Sequence, residues 1–363
     1  MKEVAIKDIC KKDSSALKQK ELLPEGKYPV FGASGIAGYL DRYHQKKEYI
    51  GIVKDGSGIG RVAFYPAESS LIGTMQYVLP KENYDIRYIG YCLQSLDLSK
   101  YKQGAAIPHI YFRDYGEQLV KVTDNWEEQH SIVSRLDSAF SHIDALKANA
   151  EKQLNEARKL FQAELTECMK PKEGWEEKKL GEVCDFEGGS QPPKSEWINH
   201  PQDGYVRMLQ IRDFTRSRNA EIEYVKISKK IRLCKADDIL IGRYGASVGK
   251  ILTGLAGAYN VAIIKSIPNE ELISKAFIKR YFEARSFQSV LFKVCASRAA
   301  QAGFSKDDIC DTPIPVPPLS EQHRIVSHLD SLSSTIRKLE ELQQKTLAEC
   351  DALKQAMLRE VFE

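Results

Sequence analysis

The sequence predicts an α+β protein in which two globular domains alternate with two long helices that pack on each other. Three observations predict it. The end of the chain restates a segment from its middle. Glu128-Gln129-His130, Ile132-Val133-Ser134 and Leu136-Asp137-Ser138 recur 193 positions later as Glu321-Gln322-His323, Ile325-Val326-Ser327 and Leu329-Asp330-Ser331. About 20 of 43 aligned pairs are identical, far above chance for unrelated helices. Residues 126–170 and 320–363 contain neither Gly nor Pro, whereas the stretches around them carry short β-type runs split by Gly-rich turns.

Residues 1–125 form the first expected domain, with strands at Tyr49–Val53 and Met75–Leu79 and a helical segment around 84–95. Residues 126–170 follow as a helix bounded by Pro171. Its apolar residues, Leu136, Phe140, Ile143, Leu146, Ala150, Leu154, Ala157, Phe161 and Leu165, fall at alternating spacings of three and four, which is a heptad seam. Residues 171–317 form the second domain, with strands at Ile239–Ile241 and Val261–Ile264 and a helical segment around 271–294. Pro313, Pro315, Pro317 and Pro318 introduce the second long helix, 318–363. Its seam runs Leu329, Leu332, Ile336, Leu339, Leu347, Cys350, Leu353, Met357 and Val361. Each helix is about 60 Å long, too long to bury one face on a domain about 30–35 Å across, so the seams are expected to pack helix on helix. Between the two domains only faint similarity is visible, such as Ile6-Lys7-Asp8-Ile9-Cys10 against Leu180-Gly181-Glu182-Val183-Cys184.

Composition excludes several classes. No run of 18 apolar residues offers a membrane span, and the N-terminal Met1-Lys2-Glu3-Val4 begins no apolar signal segment. The eight cysteines are scattered without a Cys-x-x-Cys pair, the pattern of reduced thiols in a cytoplasmic protein, and no metal cluster is visible. The net charge of +3 is uninformative, but Val206–Lys265 holds 12 Lys/Arg against five Asp/Glu. Such a local basic excess is an electrostatic footprint for nucleic acid, and equally the mark of a solvated basic surface.

The Gly-rich segments are not catalytic motifs. In Gly242-Arg243-Tyr244-Gly245-Ala246-Ser247-Val248-Gly249-Lys250 only three residues separate Gly245 from Gly249-Lys250, and Ile251 follows where a P-loop needs Ser or Thr. In Asp55-Gly56-Ser57-Gly58-Ile59-Gly60-Arg61, Arg61 stands where a dinucleotide fingerprint needs its third Gly. Neither Gln191-Pro192-Pro193-Lys194 nor Val316-Pro317-Pro318-Leu319 supplies the aromatic that an adenine methyltransferase uses to grip its base. These glycines suit turns that bring backbone amides close to phosphates, with Arg61, Arg243 and Lys250 beside them; read one residue at a time, they suit plain hairpin turns as well.

The layout resembles the DNA-specificity subunit of type I restriction–modification systems. Pro315-Val316-Pro317-Pro318-Leu319-Ser320-Glu321-Gln322 is similar to that family's entry into its conserved helix; Asn125-Trp126-Glu127-Glu128-Gln129 keeps only the Glu-Gln. Gly242–Lys250, Asp55–Arg61, Tyr28-Pro29-Val30-Phe31-Gly32 and Ala299-Ala300-Gln301-Ala302-Gly303-Phe304 with Asp307-Asp308-Ile309 resemble its recognition-domain segments. The resemblance implies two target-recognition domains, at 1–125 and 171–317, and an antiparallel coiled coil of the helices at 126–170 and 318–363. It implies a chain without catalytic residues, metal or cofactor of its own, directing adenine methylation and restriction at a bipartite target. The implied partners are double-stranded DNA, two methyltransferase subunits that bind S-adenosylmethionine, and motor endonuclease subunits. With the basic excess, it places DNA contacts at Ser34, Lys54, Ser57 and Arg61 in the first domain. In the second it places them at Ser190, Gln191, Lys194, Arg207, Gln210, Arg212, Arg243, Tyr244, Ser247, Lys250, Arg298 and Gln301. Ser, Gln and Arg are side chains that read base edges. Partner contacts are expected at Glu128, Gln129, His130, Glu321, Gln322 and His323. Two other readings stay open at this point: a non-catalytic coiled-coil scaffold with two protein-binding domains, and an enzyme with an unrecognised site.

Overall fold

The computed structural model describes all residues except 105–106, 216–220 and 297–302. The chain divides into two compact units, Met1–Lys152 with Leu342–Glu363, and Gln153–Glu341. Each unit contains one globular domain and parts of both long helices.

In the first unit Lys2–Ala5 pairs antiparallel with Leu119–Val122, tying the start of the domain to its end. A four-stranded antiparallel sheet runs in the order Cys10–Ser14, Met75–Pro80, Tyr49–Val53, Val62–Tyr65. Tyr49–Val53 is buried at every position, which is why it reads as an unbroken apolar run rather than an alternating one. A second sheet sets Tyr28–Gly32 antiparallel to Gly35–Leu40 and parallel to Ser70–Leu71. The helix Ile86–Ser95 starts at Asp85, whose carboxylate accepts from the amides of Arg87 and Tyr88.

The second unit repeats this plan. Glu176–Lys179 pairs antiparallel with Pro313–Val316, and a four-stranded sheet runs Cys184–Gly188, Ile263–Pro268, Ile239–Gly242, Ile251–Leu252. Tyr205–Leu209 lies antiparallel to Tyr224–Lys226 and parallel to Gly257–Tyr259. The faint similarity between Ile6–Cys10 and Leu180–Cys184 marks the same place in both domains, a single helical turn leading into an edge strand of a four-stranded antiparallel sheet, with Ile6, Ile9, Leu180 and Val183 buried. Two local expectations need correcting. Val261 is an exposed turn residue, because the Asn260 side chain accepts from the Ala262 amide and delays the strand to Ile263. The helical segment expected at 271–294 is two helices, Lys275–Glu283 and Arg285–Ala296, separated at Ala284 by an extended residue.

The central helix spans Trp126–Cys168 and the C-terminal helix Leu319–Phe362. Within each unit they run antiparallel. In the first, Lys147 meets Asp351 and Lys354 meets Asp144, both at 2.6 Å. In the second, Arg158 meets Glu340 at 2.6 Å and His328 meets Glu164 at 3.0 Å. Exposed pairs of this kind add little stability, so the apolar contacts carry the packing. Ile132, Val133 and Leu136 enter the first core together with Cys350, Leu358 and Phe362; Ile325, Val326 and Leu329 enter the second with Leu165. The seam departs from expectation at Leu146 and Leu353, which are 57% and 51% exposed. A strict 3.5-residue repeat drifts around a helix of 3.6 residues per turn, and here the domain cores, not only the facing helix, select which residues turn inward.

Repeated polar residues fasten each domain to its helix. Gln129 is fully buried; its carbonyl accepts from the Asp85 amide at 2.8 Å, and its amide donates to the Asn83 and Thr123 carbonyls at 3.1 and 2.9 Å. Gln322, its repeat partner, is also fully buried. It accepts from the Ser274 amide at 2.8 Å and donates to Leu272 and Pro317 at 2.8 and 2.9 Å. Asp85 and Ser274 are the N-caps of equivalent helices, so one side chain organises the helix start, the entering loop and the following segment. Beside each glutamine an ion pair repeats: Arg87 to Asp137, and Arg280 to Asp330. No helix is long and apolar enough to cross a membrane among the described residues.

Candidate nucleic-acid interface

In the first unit the candidate residues sit on the turns at the strand ends. Gly56 and Gly60 have left-handed φ of +92° and +82°, and a Cβ at Gly60 would lie 2.9 Å from the Ser99 amide nitrogen. Only glycine fits there, and the tight turn presents Ser57 to solvent. Arg61 does not extend freely: its guanidinium donates to the Ala33 carbonyl, bracing the hairpin turn that exposes Ser34. Lys54 is half-buried and tied through its backbone to Thr74 and Ile110. Ser34 and Thr74 also line a groove of about 910 Å³ with Leu17, Lys18, Gln19 and Ile36. The structure adds residues that sequence reading missed. His109 pairs with Asp55, its ring lies 4.1 Å from that of Tyr111, and Arg113 stands 4.5 Å over Tyr111. Their segment has no basic excess or glycine signature; it joins the site through the His109–Asp55 pair and the backbone bonds from Gly56 to Pro108 and from Ile110 to Lys54.

In the second unit Gly242–Lys250 folds as a turn between two strands. Gly245 and Gly249 take left-handed φ of +56° and +77°. A Cβ on Gly242 would strike the Ser247 carbonyl at 2.2 Å, and one on Gly249 the Gln288 amide at 2.2 Å. Lys250 and Tyr244 are exposed and Ser247 is half-buried. Arg243 stacks over Tyr244 at 5.1 Å, and its Nε–H donates to the Phe304 carbonyl at 3.0 Å, so it too acts first as a brace. Arg298 and Gln301 lie outside the described residues.

The remaining candidates are less free than a count of basic residues implies. The Ser190 hydroxyl accepts from the Arg232 amide at 3.1 Å, whereas Gln191 is exposed. Arg207 donates to Asp213 at 2.8 Å. Lys194, Gln210 and Arg212 converge on one carboxylate, Glu223: Arg212 at 2.6 Å and Gln210 at 2.9 Å on one oxygen, Lys194 on the other. Burial pushes the Glu223 carboxyl up, but the Lys194, Arg212 and Gln210 partners outweigh it and hold the group below the usual carboxylate range. Glu187 similarly holds Arg232, at 3.1 Å, and Lys265, at 3.0 Å. The basic excess is therefore partly neutralised on site, and what the fold presents is an ordered array of donors.

The expected partner residues divide. Gln129 and Gln322 both face their own domain, fully buried, with the carbonyl and the NH2 of each side chain engaged within the chain. Glu128 accepts from the Thr123 hydroxyl at 2.6 Å at the helix start, and Glu321 pairs with Arg324 at 2.6 Å. His130 and His323 are exposed.

Two domains of one plan, each with glycine-shaped turns bearing ordered donors and each fixed to a repeated helix, define a class. The model of the type I restriction modification DNA specificity domain matches residues 1–156 and 172–348, and the chain belongs to that family. Among curated relatives, it is 24% identical over 268 residues to the EcoR124I/EcoR124II specificity subunit of a type I restriction enzyme from Escherichia coli, covering 70% of this chain and 65% of that one. It is 25% identical over 194 residues to the MjaVIII specificity subunit from Methanocaldococcus jannaschii, covering 53% and 44%. The chain thus spans less than two thirds of the length of these relatives. Among solved structures, a chain from work on assembly and conformational transition of the type I R-M system matches with a TM-score of 0.75 at 18% identity, covering 99% of this chain and 96% of that one. The HsdS subunit from Thermoanaerobacter tengcongensis matches at 0.54 and 19%, covering 99% and 95%. At these identities the structural matches establish the fold.

Proposed function

We propose that this chain is the non-catalytic DNA-recognition subunit of a cytoplasmic type I restriction–modification complex. Each domain reads one short word of a bipartite double-stranded target, chiefly through the major groove, and the paired helices hold the two words at a fixed separation. Two methyltransferase subunits carrying S-adenosylmethionine modify adenines at the target, and motor endonuclease subunits join for cleavage. The observation that carries the reading is the double construction itself: two domains of one plan, the second with Leu233–Cys234 as an added strand, with different loops, attached to repeated helices by Gln129 and Arg87 in one and Gln322 and Arg280 in the other. One chassis bearing two different sets of loops suits one task performed on two different sequences.

The repeat also supports two identical partners. Trp126 and Leu319 occupy equivalent positions and stay 47% and 38% exposed; Leu160 and Leu353 do the same at 71% and 51%. Large apolar side chains left in water at matching positions are suited to the same partner surface twice. The test is binding by the chain reconstituted with its methyltransferase subunits. A sequence-selective affinity that falls steeply with salt supports the reading. Uniform binding to all duplexes, or none, contradicts it and favours the protein-binding scaffold.

A further inference from the structure

The cluster around Glu223 carries more information than its charge. Three donors from separate elements meet there: Lys194 from the turn Lys194–Glu196, Gln210 from the link after Tyr205–Leu209, and Arg212 from the short helix Ile211–Thr215. Glu223 is mostly buried, with a side chain only 14% exposed, while Lys194 and Arg212 are 66% and 37% exposed. Gln210 is held at both ends. Its backbone amide donates to Asp213 at 2.7 Å, and its side-chain amide donates to Glu223 at 2.9 Å. Asp213 is itself buried and locked by Arg207.

This geometry fixes which way the Gln210 amide points. A glutamine reads bases ambiguously, because its carbonyl and NH2 exchange places by rotation of the terminal torsion. Here the reversed amide would set two oxygens 2.9 Å apart, one of them on an ionised carboxylate. The NH2 is therefore committed to Glu223, and the carbonyl is left without a partner among the described residues. A fixed acceptor complements a donor. In the major groove the base donors are the exocyclic amines of adenine and cytosine; guanine and thymine present acceptors at the corresponding edge.

We infer that Glu223 is a specificity-positioning residue, which orients Gln210 so that the second domain selects an adenine or cytosine amine over guanine or thymine at one position of its word. The inference rests on the proposed DNA-recognition function. It assigns Glu223 a role that a phosphate-contact account lacks, since a carboxylate near DNA opposes binding. Lys194 and Arg212 offset that repulsion, so the cluster gives up some affinity to gain discrimination.

The test is Glu223→Gln in the chain assembled with its methyltransferase subunits. Binding is measured on duplexes carrying each of the four bases at every position of the second word. Glutamine at 223 keeps an acceptor for Lys194 and Arg212 but can also donate, so the Gln210 amide is free to reverse. The expected result is a loss of discrimination of about tenfold at a single position, with that position accepting guanine or thymine. Affinity for unrelated DNA should hold or rise, and the other positions should be unchanged. Gln210→Leu, which leaves Glu223 and its cations in place, should lose discrimination at the same position. Unchanged discrimination in both variants overturns the inference, as does an equal loss at every position, which marks a merely structural role. If the unmodified complex shows no preference among duplexes, the recognition function itself fails instead.

Discussion

Gln322→Ala should release the second domain's helix start from the C-terminal helix. The side chain is fully buried and makes three hydrogen bonds of 2.8–2.9 Å, to the Ser274 amide and to the Leu272 and Pro317 carbonyls. Truncation leaves a buried amide and two carbonyls short of partners. At roughly 1–3 kcal/mol for an unsatisfied group, and with water re-entering part of the space, the expected cost is about 3 kcal/mol. Gln322→Glu isolates the donors: a carboxylate still accepts from Ser274 but cannot donate to the two carbonyls, so a similar or larger loss is expected. Hydrogen exchange followed by mass spectrometry reads this locally. Exchange through opening of peptides covering 275–283 and 319–330 should speed up by about 100-fold or more, while peptides of the first domain stay unchanged. Gln129→Ala should give the mirror result at 86–95. The opposite outcome, an unchanged exchange pattern with weakened capture of methyltransferase subunits, would return both glutamines to a partner surface and refute the tether.

Gly60→Ala should destabilise the first domain by about 1–3 kcal/mol, because a left-handed φ is combined with a 2.9 Å approach to Ser99; Gly56→Ala, equally left-handed but with open space, should cost less, and equal shifts in Tm would contradict the steric part. Lys250→Ala should weaken DNA binding evenly across sequences and flatten the salt slope by about one unit while leaving Tm in place. Arg243→Ala should lower both Tm and affinity, since it also removes the brace on the Phe304 carbonyl; an unchanged Tm would show that the brace carries nothing.

Much of this architecture is legible in the sequence, for identifiable reasons. The long helices announce themselves through the repeat and the absence of Gly and Pro. Tyr49–Val53 is buried on both faces, so its apolar run is unmistakable. Glycines with left-handed φ stand where the turn spacing puts them. Other features depend on contacts that no local pattern encodes. The Glu-Gln-His repeat looks like a surface motif, because repetition reveals that Gln129 and Gln322 share a role and not that the role is internal. The basic excess between Val206 and Lys265 cannot show that Glu187, outside that stretch, gathers Arg232 and Lys265, since only sheet pairing sets Glu187 opposite Lys265. The common plan of the two domains is nearly invisible, because it is held by buried apolar strands such as Tyr49–Val53 and Ile239–Gly242 and by turns that different residues satisfy equally well.

In the proposed function the paired helices hold two readers at a set spacing. Deleting Lys147–Gln153 from the central helix, together with the facing Lys345–Asp351, removes one heptad from each and preserves the antiparallel register marked by Lys147 and Asp351. Seven residues shorten a helix by about 10 Å, or roughly three base pairs of DNA. Methylome profiling of a host expressing the assembled complex should then return the same two words with an altered gap. Changed words across an unaltered gap would mean that the helices read sequence and do not set the spacing.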